Sequence, residues 1–440
     1  MIRVFAAAAL AVAFAAPATA VAPPVTAIDA GGARAFVQPD PGVPLAGVML
    51  HVRAGLDRQT AAQNGLAALT AEAVLRTPVA STLRRAQDGL SPGQAVPLAD
   101  AVEAAGASIS YAVGPQGVRF YLEGTPERLA LAAPLVAGAL GAPAFDPATL
   151  AAARASLGER IADEDGDPRL VGRAMLRSAY YRGGAGLPAL GNPAALAALG
   201  AADLKTFYDT WYTRGDAVAS AVGRTGDATD AASRVLLAAL HAGTARATAL
   251  GARPLGAQPK RILTHRDLGA PYVVLGFAAP SLGERDFPAA LVMRALLGSV
   301  FERAGATTRP PLLRSVGLIY GYDASPAQLV LWINGSRIDP EVGLTGIGAI
   351  AKAAATKPLT AAVLARYKET ARGEWALETV TLDERASAIG NAVELGLPAG
   401  AADDVAAAIA RVTAADVVRV AKKYFRKFDV ALVLPRGNGN

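Results

Sequence analysis

The chain carries one long pattern twice. Residues 199–223 read as a helix with an acidic first turn and an aromatic end, followed by an apolar strand. Residues 412–434 read in the same way, and the first-turn aspartates Asp203 and Asp416 lie 213 residues apart. A recurrence of this length indicates that the chain is built from two copies of one domain.

The beginnings of the two halves match as well. Residues 45–75 predict an apolar strand, an irregular turn and a helix, and residues 270–297 predict the same order. The middles match less closely, although residues 145–150 and 357–364 both open long helices after a loop. The repeat therefore extends over most of the chain.

The composition allows two sizeable hydrophobic cores. The chain has 440 residues, of which 52% are hydrophobic and 18% charged, so it is globular rather than disordered. We expect two tandem α+β domains at residues 25–240 and 263–440, joined by a linker rich in Ala, Gly, Arg and Pro at residues 241–262. Each domain should be a mixed or antiparallel sheet with helices on one face.

The start of the chain is typical of a secretory signal peptide, predicted at residues 1–20. Arg3 supplies the positive charge, residues 4–16 are apolar, and residues 18–20 form a small-residue cleavage pattern. The apolar stretch is too short to span a membrane, and no later stretch is an unbroken apolar run of spanning length. The chain has no cysteine, which excludes disulfides and cysteine-linked lipid anchors. We expect an exported, soluble protein, which in a Gram-negative bacterium is periplasmic.

The formal charge of +6 is spread along the sequence. Its densest cluster, residues 422–427, falls at a predicted helix C-terminus, where cations interact favourably with the helix dipole. This position favours a solvated helix end over a nucleic-acid site.

A strand, a turn and a helix near the start of the chain have a recognisable order. Residues 48–55 form an apolar strand that ends in an Ala-Gly turn, and a helix begins at Gly65-Leu66-Ala67. This order resembles the pitrilysin/insulinase (M16) family of zinc peptidases, whose corresponding helix carries the zinc motif His-x-x-Glu-His. The three motif positions fall here on Ala68, Ala71 and Glu72. The resemblance thus implies a relative that has lost its zinc ligands.

Further segments extend the resemblance over nearly the whole chain. Residues 105–111 resemble the family's Gly-Ala strand after the zinc helix, and residues 118–124 resemble its partner strand. Residues 207–223 resemble the family's Phe-Tyr…Tyr…Val-Gly domain ending. The resemblance implies the duplicated LuxS/MPP-like metallohydrolase fold, with halves that face each other around a chamber. It is closest in kind to the M16B-like periplasmic subunits that lack the zinc motif.

The donors that zinc requires are absent from the motif positions. Zinc needs three or four N, S or O donors at about 2 Å, and alanine offers none. Glu72 alone remains, and we expect it to be a solvated or capping helix carboxylate. The family's third ligand falls nearest to Ala153, while Glu159 fits an ordinary charged helix face. No pair of the three histidines has ligand spacing; these are His51, His241 and His265. The chain also has no cysteine that could act as a nucleophile, so hydrolysis by this chain alone has little support.

A segment of the second half resembles another part of the family's site. Residues 311–323 resemble the M16 pattern Leu-Arg-x-x-Arg-Gly-Leu-x-Tyr, whose first Arg and Tyr bind substrate and stabilise the oxyanion. Carried over, these supporting catalytic roles fall on Arg314 and Tyr320. The spacing is one residue shorter, Val316 replaces the second Arg, and Tyr322 shares a strand face with Tyr320 and is an alternative. The competing interpretation is a surface Arg beside tyrosines packed in a core.

Two functions remain open. Some M16 peptidases are heterodimers in which one subunit carries His-x-x-Glu-His and the other the Arg/Tyr pair. The resemblance therefore implies a non-catalytic subunit without a cofactor of its own, whose partner holds the zinc and which acts with it on peptides. The alternative is a metal-free peptide-binding or structural protein that captures peptides by strand addition along residues 108–113, with Ser108, Tyr111 and Tyr322 as candidate substrate-binding residues. A third hypothesis, that the chain binds zinc at a noncanonical site through Glu72 and the histidines, has the least support.

Overall fold

The computed structural model describes residues 23–80, 94–244, 246, 250–307, 315–322, 324–335 and 340–436. The predicted signal peptide at residues 1–20 lies outside them. The β-strands are β1 (Thr26–Ile28), β2 (Arg34–Pro39), β3 (Ala46–Val52), β4 (Pro78–Ala80), β5 (Ala95–Pro97), β6 (Ser108–Val113), β7 (Val118–Gly124), β8 (Ala217–Gly223), β9 (Arg261–Arg266), β10 (Tyr272–Ala279), β11 (Ser315–Gly321), β12 (Ala327–Asn334) and β13 (Asp429–Pro435). The α-helices are α1 (Leu66–Arg76), α2 (Leu98–Ala104), α3 (Pro126–Gly141), α4 (Pro147–Gly166), α5 (Pro168–Tyr180), α6 (Pro193–Ala198), α7 (Ala201–Trp211), α8 (Asp227–Ala239), α9 (Phe287–Thr307), α10 (Pro340–Thr356), α11 (Ala361–Leu377), α12 (Leu382–Glu394), α13 (Val405–Ala410) and α14 (Ala414–Tyr424).

The two large sheets have the same order and directions of strands, except that β1 adds a sixth strand to the first. The first runs β1-β2-β8-β3-β7-β6, and the second, written in the same sense, runs β9-β13-β10-β12-β11. In each, one pair is parallel, β2 with β8 and β9 with β13, and the other pairs are antiparallel. These mixed sheets with their helices confirm the predicted α+β fold class. The strand β9 begins at Arg261, inside the range predicted as linker.

The helix and strand at the end of each half of the chain follow from the repeated sequence pattern. In α14, the Thr413 hydroxyl accepts a hydrogen bond from the Asp416 amide and the Asp416 carboxylate accepts one from the Thr413 amide, which forms a capping box. In α7, Asp203 accepts a hydrogen bond from the Gly200 amide in the same way. The strands that follow, β8 and β13, lie between two neighbours in their sheets.

Each half sends one helix onto the sheet of the other half. The helix α5 packs on β10 and β13, and α12 packs on β3 and β8. The Ser220 hydroxyl on β8 donates to the carbonyl of Ala386 on α12 at 2.8 Å. The Tyr180 hydroxyl at the end of α5 donates to the carbonyl of Ala327 on β12 at 3.0 Å. We predicted helices on one face of each sheet, and helices of the same half cover that face. The helices α5 and α12, exchanged between the halves, cover the other face, which the sequence did not predict.

Burial of the central strands reflects this double cover. Every residue of β3 and of β8 is buried, which an antiparallel strand with one solvated face would not show. No helix among the described residues is long and apolar enough to cross a membrane.

Candidate functional site

The helix α1 carries the three degenerate zinc positions on one face. Spacings of three and four residues place Ala68, Ala71 and Glu72 on the same side of a helix. Ala68 and Ala71 are 0% exposed and belong to the core of the first half. Ala153, which matches the third ligand position, is also 0% exposed, and its helix α4 packs directly on α1. This face is therefore a packed apolar contact between two helices.

Glu72 is buried and paired with two arginines. Its side chain is only 4% exposed, Arg76 Nε lies 2.9 Å from Oε1, and Arg160 Nη1 lies 3.6 Å from Oε2. The prediction of a solvated or capping carboxylate was wrong, because α4 places Arg160 against α1 and closes the carboxylate off from water. The positive charge beside Glu72 is thus supplied by guanidinium groups.

Arg160 also connects this cluster to the edge of the first sheet. Its Nη1 donates to the hydroxyl of Tyr111 on β6 at 2.5 Å, and its guanidinium lies 4.8 Å from the centre of the Tyr111 ring. Burial and the nearby carboxylate of Glu72 raise the pKa of Tyr111 well above its usual value. Tyr111 is therefore a neutral hydrogen-bonding partner of Arg160. We refer to Glu72, Arg76, Tyr111 and Arg160 as the arginine cluster.

The arginine cluster does not fit a zinc ion. Alanine side chains offer no donor at two motif positions and at Ala153, and both oxygens of Glu72 face guanidinium groups. Across the described residues there is no group of three or more His, Asp or Glu side chains that could hold a metal. A guanidinium also has no vacant coordination position at which to activate a water molecule, unlike a catalytic zinc.

Replacement of Glu72 by glutamine should destabilise the protein by about 1–2 kcal/mol. The amide keeps the shape of the side chain but leaves Arg76 and Arg160 facing each other without a carboxylate. Both arginines are partly exposed and can relax into water, which keeps the loss moderate. The measurement is the free energy of unfolding in urea. Glu369→Gln is the matched control. The side chain of Glu369 pairs with Arg372 and is itself 71% exposed, so this substitution should cost less than about 0.5 kcal/mol. Equal losses in the two variants would contradict the buried pair.

The strand β6 lies at the open edge of the first sheet. It pairs only with β7 among the described strands, and its residues alternate between exposed and partly buried. Ser108 is on the exposed side, whereas Tyr111 lies on the partly buried side and is bonded to Arg160. The structure therefore leaves Ser108 at the surface and places Tyr111 inside the arginine cluster.

The second-half candidates lie elsewhere. Arg314 lies outside the described residues. Tyr320 is 6% exposed, its hydroxyl donates to the carbonyl of Pro280 at 2.5 Å, and burial raises its pKa well above the usual value. Tyr322 is only partly buried and its ring packs on Trp375. Both tyrosines pack with the core of the second half, whereas Tyr111 packs with the core of the first.

Sequence reasoning missed the arginines that neutralise Glu72. The position of Arg76, four residues after Glu72 on one helix, is a readable signal for an ion pair. The position of Arg160, on a different helix, carries no such local signal. Of the three histidines, His51 is completely buried where α12 meets β3.

Comparisons with known proteins place these features in a family context. Residues 198–380 match the family model described as "Peptidase M16 inactive domain". No curated protein sequence matches the chain. A peptidase M16 inactive domain from Pseudomonas fluorescens is similar in structure, with a TM-score of 0.76 and 18% identity over 95% of this chain and 99% of that one.

Two further solved structures are similar. A protease from Helicobacter pylori has a TM-score of 0.78 and 15% identity, over 94% of this chain and 100% of that one. A chain of complex III2 from Candida albicans, bound to Inz-5, has a TM-score of 0.70 and 14% identity, over 91% of this chain and 93% of that one. At these identities the likeness concerns the fold.

Proposed function

Residues 198–380 of this chain belong to the peptidase M16 family and the chain has that family's fold, and on this premise we propose that it is the non-catalytic subunit of a heterodimeric zinc endopeptidase. The chain is M16-like and lacks the residues for zinc catalysis. The observation that carries the proposal is the helix α1, where apolar packing and the paired Glu72 replace the ligand set. A complete peptidase site then requires a partner chain with an intact His-x-x-Glu-His helix.

The contribution of this chain to the divided site is an Arg/Tyr pair from its second half. A guanidinium and a phenol are hydrogen-bond donors suited to the negative charge that develops on a peptide carbonyl during cleavage. Arg314 supplies the guanidinium. Tyr322 is the better-placed phenol, because it is only partly buried whereas Tyr320 is buried. We propose peptides as the substrates and, from the predicted signal peptide, an exported complex, which in a Gram-negative bacterium is periplasmic.

Removal of the Arg/Tyr pair should abolish most of the peptidase activity of the complex. We expect the Arg314→Ala/Tyr322→Phe double variant to lower kcat by about 10²–10³-fold, the usual effect of losing oxyanion donors. Peptide cleavage and the size of the complex are measured together, so that loss of assembly is separated from loss of chemistry. Arg314→Ala/Tyr320→Phe is the matched control, and it should lose no more activity than Arg314→Ala alone. Full activity in an assembled double variant would contradict the role of the pair.

The second candidate function is a metal-free peptide-binding protein. It is favoured by the open edge of β6, whose backbone groups lie in position to pair with an extended peptide. This function predicts that the double variant leaves the peptidase activity of any partner unchanged. It also predicts that the chain alone binds peptides, and that a proline placed at Ser110 on the exposed side of β6 weakens that binding.

A further inference from the structure

A small cavity lies between the two halves. It has a volume of about 110 Å³ and is walled by the β6–β7 hairpin, by α5 and by the strands β11 and β12. Arg173 and Arg177 reach it from α5, and Gln328 reaches it from β12. Drug-sized ligands occupy pockets of about 300–1,000 Å³, so this cavity is suited to one small chemical group.

Three arginines line this cavity; Arg119 on β7 donates to Asn391, whereas Arg173 and Arg177 have no carboxylate partner among the described residues. Within the described part of the chain, the guanidinium groups of Arg173 and Arg177 form no ion pair or hydrogen bond, and the Nε of Arg177 is closed off from solvent without an acceptor there. Burial, and then the charge of Arg173 one turn away, lower the pKa of Arg177 to about 10, so it stays protonated at neutral pH. The carboxylate whose charge acts on Arg177 is that of Glu164 on α4, which is exposed.

Such an arrangement is costly in the absence of a ligand. The Nε of Arg177 loses its hydration and regains no hydrogen bond in exchange. Two like charges four residues apart on one helix add a further repulsion. Both costs disappear when an anion lies between the guanidinium groups, since charge-assisted hydrogen bonds to arginine are among the strongest in proteins.

We propose that this cavity is a binding site for a small oxyanion, a carboxylate or a phosphate group, held between Arg173 and Arg177 with the amide of Gln328 on the opposite wall. Gln328 already donates to the carbonyl of Leu176 on α5 at 3.5 Å, so the amide is held against this helix. Because α5 comes from the first half and β12 from the second, the bound anion strengthens the contact between the halves. The proposal does not depend on the presence of a peptidase partner.

The test uses inorganic phosphate and the full-length protein. We expect phosphate to raise the melting temperature by several degrees over chloride at equal ionic strength, and titration calorimetry to give saturable binding at one site. Arg177→Gln should weaken phosphate binding by at least about tenfold and should raise the stability of the protein in chloride, because it removes an unpaired charge. Arg173→Gln, at an exposed position, should weaken binding in the same direction.

The matched control removes an arginine from the basic cluster at residues 422–427. Arg426 is exposed just beyond the end of α14, and Arg426→Gln should leave phosphate binding within about twofold of the unaltered protein. A short peptide with a free carboxyl terminus, compared with the same peptide amidated, separates a peptide carboxylate from free phosphate as the natural source. Equal binding by Arg177→Gln and Arg426→Gln, or no advantage of phosphate over chloride, would overturn the proposal.

Discussion

Replacement of Gly390 by alanine should destabilise this protein by about 1–3 kcal/mol, even though alanine is the better helix former. Gly390 lies on α12, where this helix presses against the first sheet. A Cβ atom at this position would lie 2.0 Å from Nε2 of His51, far inside any real contact. His51 is 0% exposed, and its Nδ1 lies 3.8 Å from Glu394 on the same helix, so the imidazole has no free space to move into.

The exchanged helix of the first half also carries a glycine where it contacts the opposite sheet. Gly172 lies on α5, and a Cβ atom there would lie 2.4 Å from Cγ2 of Val274 on β10. Val274 is completely buried and has a stiff, branched side chain. We therefore expect Gly172→Ala to lose stability by a similar amount, since both helices approach the opposite sheet through a glycine.

The control is a helical glycine that contacts nothing. A Cβ atom at Gly158 on α4 has no atom within 4 Å, so Gly158→Ala should stabilise the protein by about 0.5–1 kcal/mol through helix propensity alone. The measurement is the urea midpoint of unfolding for the three variants at an unchanged slope. If Gly390→Ala and Gly172→Ala gained stability like Gly158→Ala, the exchanged helices would not pack closely on the sheets.

The exchange of helices marks the limit of what the sequence could predict about the fold. The repeated helix-and-strand endings, and the apolar strands they precede, are local patterns with a period that can be read directly. The apolar stripe of α5 or α12 shows that one face is buried, but it does not show against which sheet. That choice depends on contacts between residues more than 100 positions apart, such as Gly172 with Val274.

The candidate site could also be predicted from the sequence only in part. The loss of zinc ligands at Ala68 and Ala71 is a matter of residue identity, so the sequence was sufficient. The state of Glu72 depended on Arg160, which lies on another helix, and the expectation of a solvated carboxylate was therefore wrong. The difference in burial between Tyr320 and Tyr322 needed the fold too, because the two tyrosines look equivalent in the sequence.

The second large expected effect is on peptidase activity, through the site that we propose is shared between two chains. Ala68, Ala71 and Ala153 in the first half offer no donor for zinc, and the cation beside Glu72 is a guanidinium. Under the proposed function, a partner with an intact zinc helix lacks the Arg/Tyr donors, and we propose that Arg314 and Tyr322 of this chain supply them. Oxyanion donors contribute about 10²–10³-fold to the rate of acyl transfer, so each chain alone should be nearly inactive.

The measurement that tests this account most directly is the rate of peptide cleavage by an M16 chain with an intact His-x-x-Glu-His helix, alone and mixed with this protein. The account predicts negligible cleavage by either chain alone and a rise of at least about 100-fold on mixing, which saturates at equal amounts of the two chains. Full activity of the zinc-binding chain alone, unaffected by this protein, would contradict it.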